Sequence, residues 1–317
     1  MAELIGQYRV KEPLTNHNAG FSKWGFGYRD GERYFIKEFL SPVWPMDNRK
    51  ISAEALKKRR DVCEQFTKEK IHLFNRINNA SDGNLMHFYH FFRYKSRYYI
   101  AGDAVNSISI EEVQSLGLLD KAMLLHILAH SMRDLHRAGI VHGDLKLDNI
   151  LFYRTKRGTV SAKIIDLDNA FIPEEKLPDP DNLNCDQMYL APEMFRYIKG
   201  EKLKINAKAD VFAMGLVFFE IMTGTKPGFS TTYRYPFSVL LNGEKLDLSL
   251  LKENTIREII FGMLHVDPVK RLDMREVFTY LSYYRHVTVT EIDGLKTTVG
   301  KSSGTYDASS YFYEPAD

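Results

Sequence analysis

Three side chains in the run Val141-His142-Gly143-Asp144-Leu145-Lys146-Leu147-Asp148-Asn149-Ile150 are of the right types and spacing to do chemistry together. A carboxylate at Asp144 can orient a hydroxyl and accept its proton. Lys146, two residues on, supplies a cation for charge that builds on a moving phosphoryl group. Asn149 offers a neutral oxygen to a hard cation such as Mg²⁺. Phosphoryl transfer needs these three together. Taken alone, the run also reads as a loop ahead of the apolar pair Ile150-Leu151, so other residues must decide between the two.

They do so in order along the chain. The run resembles the catalytic loop of protein kinases, H-R-D-L-K-x-x-N, with Gly143 where the arginine usually stands. Lys163-Ile164-Ile165-Asp166-Leu167-Asp168 resembles the D-F-G element, with Leu167 for phenylalanine and Asp168 for glycine. Tyr34-Phe35-Ile36-Lys37 resembles the strand V-A-I-K. Tyr189-Leu190-Ala191-Pro192-Glu193 resembles A-P-E, Asp210-Val211-Phe212-Ala213-Met214-Gly215 resembles D-x-W-x-x-G, and Asp267-Pro268-Val269-Lys270-Arg271-Leu272 brings the arginine expected to pair with Glu193. Together these identify a eukaryotic-type protein kinase of the Ser/Thr class, a non-RD variant with HGD and DLD in place of two familiar triplets.

What the resemblance implies is concrete. Asp144 is the catalytic base and Lys146 its electrostatic partner. Asn149 and Asp166 are the Mg²⁺ ligands. Lys37 holds the α- and β-phosphates of ATP, and Glu69, with Glu64 as fallback, partners Lys37 from the following helix. In place of the glycine-rich loop the chain offers His17 to Trp24, with Ala19 and Ser22 at glycine positions beside Gly20, Phe21 at the tip and Trp24 over the adenine. Asp103 and Val105 present hinge backbone groups to the adenine edge, and Gly102 implies an open back pocket. Asp210 braces the catalytic loop. The cofactors are ATP and Mg²⁺, or Mn²⁺ in its place.

Departures at three positions, Gly143, Asp186 and Asp168, bear on regulation and substrate. Gly143 removes the arginine that captures an activation-segment phosphate, and from Asp168 to Glu193 there is no Ser or Thr, Tyr189 being the only hydroxyl. Activity without activation-segment phosphorylation is therefore expected. Asp186 takes the place of a threonine near the base, where it either repels an acidic substrate or accepts from Lys146. Asp168 in place of glycine makes positive φ costlier there and large flips of the segment less favourable.

The elements that must position these residues are legible in pattern. Tyr8 to Val10, Phe26 to Tyr28 and Arg33 to Lys37 read as strands, with Asp30-Gly31 as a hairpin turn. Ser52 caps a helix to Ile77 that carries Ala53, Leu56, Val62, Phe66, Leu73 and Ile77 on one face, its basic start (Asn48 to Arg60) projecting as an extra segment. His87 to Phe92 and Arg97 to Ile100 add strands. From Ile110 helices dominate: Lys121 to Ala138, the uniformly apolar Ala209 to Thr223, Thr255 to Leu264 and Met274 to Tyr284. The fold class is α+β: a protein-kinase-like two-lobed fold, with a small antiparallel sheet lobe plus one helix and a larger, mostly helical lobe. The kinase domain spans 8–285, with lobes of about 8–102 and 106–285, and 286–317 reads as a polar flexible tail.

Bulk properties exclude other classes. Among 317 residues the net charge is +2, with 26% charged, so no nucleic-acid footprint dominates and the partners expected are a protein substrate and ATP. Cys63 and Cys185 are too few for a disulfide framework and read as free thiols. The start of the chain lacks a secretory pattern and no stretch is long enough to span a bilayer, so the chain reads as soluble and cytoplasmic. Two other functions fit the pattern less well. One is a pseudokinase that keeps the fold as a nucleotide- or partner-binding scaffold; the other is a phosphotransferase or nucleotidyl transferase for another acceptor.

Overall fold

The computed structural model describes residues 3–16, 22–46, 51–183 and 185–297. The chain divides into two compact units, Met1–Ser81 with Leu85–Ser107, and Asp82–Asn84 with Ile108–Asp317.

The first unit is an antiparallel sheet and one long helix. Strands β1 (Glu3–Ile5), β2 (Tyr8–Val10), β3 (Ser22–Arg29) and β4 (Glu32–Phe39) precede helix α1 (Ala53–Ala80), and β5 (Phe88–Tyr94) and β6 (Arg97–Asp103) follow it. The sheet order is β1-β2-β3-β4-β6-β5. The β3–β4 hairpin turns on Asp30 and Gly31, both at positive φ (52° and 87°), the two-residue loop whose twist matches the strands. Alternation along β4 sorts its side chains. Ile36 joins Ile5, Tyr8, Val10, Tyr99 and Ala101 in a buried core on one face. Phe35, Lys37 and Phe39 occupy the other, where Phe39 meets Phe66 of α1 at 5.5 Å between ring centroids.

Ser52 caps α1 as expected, its hydroxyl accepting from Ala55 N at 3.2 Å. The inward stripe differs from the expected one. Cys63, Leu73, Phe74 and Ile77 are buried, while Val62 is 60% exposed. Val62 lies one helical step, about 100°, off the stripe that Cys63 begins. Of the basic segment expected over Asn48 to Arg60, residues 53–60 belong to α1, and 48–50 lie outside the described residues.

The second unit contains α2 (Ile110–Gln114), α3 (Leu118–Arg137), a ribbon of β7 (Ile150–Arg154) and β8 (Val160–Ile164), then α4 (Pro192–Ile198), α5 (Lys208–Thr223), α6 (Pro236–Leu241), α7 (Asn254–Met263) and α8 (Met274–Thr297). Every residue of α5 from Ala209 to Ile221 is buried, which is why its sequence shows no amphipathic period. Gly224, at φ 82°, closes it with a left-handed cap. The tail expected from 286 does not begin there: α8 continues as helix to Thr297. Extending a helix already anchored by packing adds one hydrogen bond per residue without a new nucleus, and no proline intervenes. Among the described residues no helix is long and apolar enough to cross a membrane.

Buried His126 joins α3 to α8, with Nε2 at 2.9 Å from Ser282 Oγ and Nδ1 at 3.1 Å from an Arg285 nitrogen. Burial and the neighbouring cation Arg285 pull its pKa down to about 4. The unfolded chain binds this proton near the ordinary value of 6.5, so stability is expected to fall as pH drops from 6.5 towards 4 and to flatten below. Urea midpoints across that window should show the loss, and H126F should reduce its slope.

Candidate active site

The residues expected to act fall into two groups, one in each unit. In the second, Asp144, Lys146, Asn149 and Asp166 are held by a dense set of backbone bonds. The catalytic run is irregular until a short 3₁₀ turn, Leu147–Asn149, hands it to β7. Asn149 Nδ2 donates to the Asp144 carbonyl at 2.7 Å, which fixes the amide and turns its oxygen away as a candidate metal donor. Lys146 Nζ lies 3.5 Å from Asp144 Oδ2. Asp186 N donates to Asp144 Oδ1 at 3.3 Å, and the Asp186 carboxylate accepts from Met188 N at 2.9 Å. Asp186 therefore meets the base through its backbone N–H, while its carboxylate accepts within its own turn.

Burial raises the pKa of Asp144, and the positive charge of Lys146 and the Asp186 N–H pull against it. Such a poised carboxylate suits a base that must be ionised yet able to take a proton. Cys185 donates from Sγ to the Gly143 carbonyl at 3.3 Å, and burial pushes its thiol up to about 12, so it stays protonated and inert.

The brace expected of Asp210 is present. Its buried carboxylate accepts from His142 N at 2.7 Å and Gly143 N at 3.0 Å. His136 Nε2 lies 3.0 Å from the same carboxylate. Burial alone would raise Asp210, but the His136 bond and charge hold it below the ordinary range. His142, fully buried, spans the site: its Nε2 bonds the Ile165 carbonyl at 3.0 Å, next to Asp166. Val141 and Phe171 exchange two backbone bonds of 2.9 Å across the same gap. His136, His142 and Phe171 carried no assigned role in the sequence reading; the signal was their nearness to the motifs.

Asp166 itself adopts the left-handed conformation, φ 60° and ψ 49°, ahead of a 3₁₀ turn over Leu167–Asn169. The cost anticipated at Asp168 therefore falls two residues earlier, on the carboxylate expected to meet the metal. Leu167 fills an apolar pocket and is fully buried, as expected. Gly143 also sits at positive φ, 79°, and a Cβ there would stand 3.0 Å from the Asn169 carbonyl and 3.1 Å from the Phe171 ring. Gly143→Ala is accordingly expected to cost about 1–2 kcal/mol of folding stability, read from denaturant midpoints.

Glu193 and Arg271 form the expected buried pair, with bonds of 2.6 and 2.9 Å. Tyr189 is only 7% exposed, and burial together with Glu220 pushes its hydroxyl pKa up.

In the first unit, Lys37 lies on β4, 8% exposed, opposite Trp24 and Ile100. Trp24 stacks on Phe35 at 6.0 Å. Glu69 is on the exposed side of α1, its Oε1 accepting from Gln65 Nε2 at 3.0 Å. The helix phase instead gives the sheet-facing position to Lys70, whose Nζ lies 5.8 Å from the Phe39, Phe66 and Phe74 ring centres. Asp103 N donates to the His87 carbonyl at 3.2 Å, and Val105 is half-buried in the loop that follows. The back pocket expected beside Gly102 is closed: Met86 Cε stands 2.7 Å from where a Cβ would be. Ala19, Gly20 and Phe21 lie outside the described residues.

Residues 46–281 match the protein kinase domain family. The chain belongs to that family. Its relatives include the serine/threonine-protein kinase zyg-8 of Caenorhabditis elegans, 25% identical over half of this chain and 20% of that protein. The serine/threonine-protein kinase VPS15 of Saccharomyces cerevisiae is 27% identical over half of this chain and 12% of its own length. The serine/threonine-protein kinase ATG1 of Candida glabrata is 26% identical over 60% of this chain and 22% of its own. The chain thus spans less than a third of these relatives. A protein kinase domain works on ATP, with a divalent metal, and on a protein substrate. The hard oxygens of Asp166 and Asn149 fit such a metal.

Proposed function

We propose that this protein kinase domain, residues 8–285, transfers the γ-phosphoryl group of ATP to a Ser or Thr hydroxyl of a protein. The carrying observation is the convergence of Lys146 and Asn149 on Asp144, on a loop whose backbone Asp210 and His142 hold rigid. Asp144 orients the acceptor hydroxyl and takes its proton. Lys146 stabilises charge on the transferred group, and Lys37 anchors the α- and β-phosphates. Asn149 and Asp166 would hold Mg²⁺, which neutralises phosphate charge when bound. Lysine two residues after the base and the Ser/Thr kinase relatives support Ser/Thr over Tyr acceptors.

The site works without activation-segment phosphorylation. Gly143 offers no guanidinium to a phosphate, and Tyr189, the segment's lone hydroxyl, is buried against kinase access. A second reading, a pseudokinase scaffold, draws on the Lys37 face of the sheet. There Phe35 stands for the motif's alanine, stacked by Trp24 and edged by Phe26 at 6.4 Å.

Incubating the purified chain with labelled ATP, Mg²⁺ and a generic protein substrate separates the two. Label on serine or threonine, lost in D144N and D166A, is the expected result. No transfer and no nucleotide-dependent thermal shift in the parent would establish the scaffold.

A further inference from the structure

A second cluster of ligand-type side chains lies on α3. His130 Nδ1 is 2.9 Å from Asp82 Oδ2 and 3.6 Å from Asp134 Oδ2. One donor atom from each residue lies within 4.8 Å of the other two. Two ligands about 2.1 Å from one zinc ion stand roughly 3.0–3.4 Å apart, so both His130 separations are near those of ligands sharing an ion. His130 and Asp134 are four residues apart on α3, hence neighbours on one helix face. Asp82 arrives from the loop after α1, in the tripeptide Asp82–Asn84 that the second unit incorporates.

The surroundings orient these groups. Arg133 holds the other oxygen of Asp134, Oδ1, with Nε and a terminal nitrogen both at 2.9 Å, leaving Oδ2 towards His130. Exposed Arg137 adds a longer contact of 3.7 Å to the same Oδ1. Metal sites depend on such outer contacts to fix their ligands. The Phe278 ring, 5.3 Å from the imidazole, packs beside it. One oxygen of Asp82, Oδ1, is buried and has no hydrogen-bond partner among the described residues, while Oδ2 faces His130. A buried carboxylate oxygen left so is costly unless something meets it.

We propose that Asp82, His130 and Asp134 bind a divalent transition-metal ion, zinc by preference, through His130 Nδ1 and a carboxylate oxygen of each aspartate. Water completes the coordination, since all three residues are half-buried and solvent reaches the cluster. An entering ion takes the Nδ1 lone pair, and any proton shared there with Asp82 leaves to solvent. The cluster shares no residue with Asn149 and Asp166. Its effect is to tie the Asp82–Asn84 loop to α3, as the Asn84 carbonyl, accepting from Ile164 N at 2.9 Å, already ties it to β8.

The test is calorimetric titration of Zn²⁺ into the full chain without nucleotide, with Co²⁺ absorption as the spectroscopic readout. One equivalent should bind, with visible Co²⁺ bands of a nitrogen–oxygen site. H130Q should weaken binding about tenfold or more, while D166N binds as the parent does. If H130Q melts early in the absence of metal, D82N, which keeps the side chain's shape, carries the same comparison. No uptake by the parent, or uptake unchanged in these variants, overturns the proposal and leaves a hydrogen-bonded ion pair. Uptake lost in D166N but kept in H130Q overturns it too, placing the ion at the catalytic carboxylates.

Discussion

Arg271→Ala is expected to lower the free energy of unfolding by about 3–5 kcal/mol, enough to leave much of the chain unfolded at physiological temperature. The guanidinium is fully buried and spends all five of its N–H groups. Two go to Glu193. The others meet the carbonyls of His265 at 2.9 Å, Lys208 at 2.6 Å and Val266 at 3.4 Å. Truncation therefore strands a buried carboxylate and three carbonyls from two further segments. Arg271→Lys should recover little, because a single ammonium cannot reproduce the planar fork. The decisive comparison is the double variant Glu193→Leu with Arg271→Met. Removing both charges together should restore most of the stability, since the loss in the single variant is mainly the penalty of an unpaired buried charge. Urea denaturation of the parent, the single variants Glu193→Leu and Arg271→Met, and the double variant reads the coupling. A double variant as unstable as R271A would show that the carbonyl contacts, and not the stranded carboxylate, dominate.

This pair was readable in the sequence because both members sit in short motifs whose order along the chain is informative. The same holds for Asp210 beneath the catalytic loop and for local devices such as the Ser52 cap and the Asp30-Gly31 turn. What could not be read depended on phase or on distant packing. Val62 and Cys63 are adjacent and both apolar enough for a core, and only the helix's contact with Phe39 and Phe91 decides which turns inward. The space over Gly102 is filled by Met86, sixteen residues earlier, which no local pattern announces. The missing glycine at Asp168 drew attention to positive φ at that position, while the residue of this segment that adopts it is Asp166, which no local pattern announces. The roles of His142 and His136 were missed for another reason: a histidine's place in or near a motif does not say whether it bonds a carbonyl, a carboxylate or a ligand until the fold surrounds it.

Asp144→Asn is expected to reduce phosphoryl transfer by about 10²- to 10⁴-fold while leaving the protein at least as stable as the parent. The two halves of this expectation come from one cause. Burial makes the ionised Asp144 carboxylate costly in the folded protein and raises its pKa, with Lys146 opposing. A carboxylate whose folded pKa is raised binds its proton more tightly folded than unfolded, so the fold gains stability as pH falls through that pKa towards the ordinary carboxylate value. The neutral amide gives the same relief at every pH, and its oxygen can still accept from Asp186 N. A purely structural residue would lose activity and stability together; here they should part, in thermal melts set beside transfer rates. Catalysis has the opposite pH dependence, because the base must be ionised: the rate should fall as pH drops through the pKa of Asp144. Lys146→Met removes the nearby positive charge that favours ionisation, so the acid limb of its pH–rate profile should move to higher pH. Asp166 lies close enough to raise Asp144 further, so the measured limb belongs to the coupled carboxylates. A profile unmoved in K146M would remove Lys146 from the electrostatics of the base and leave it acting on the transferred phosphoryl group alone.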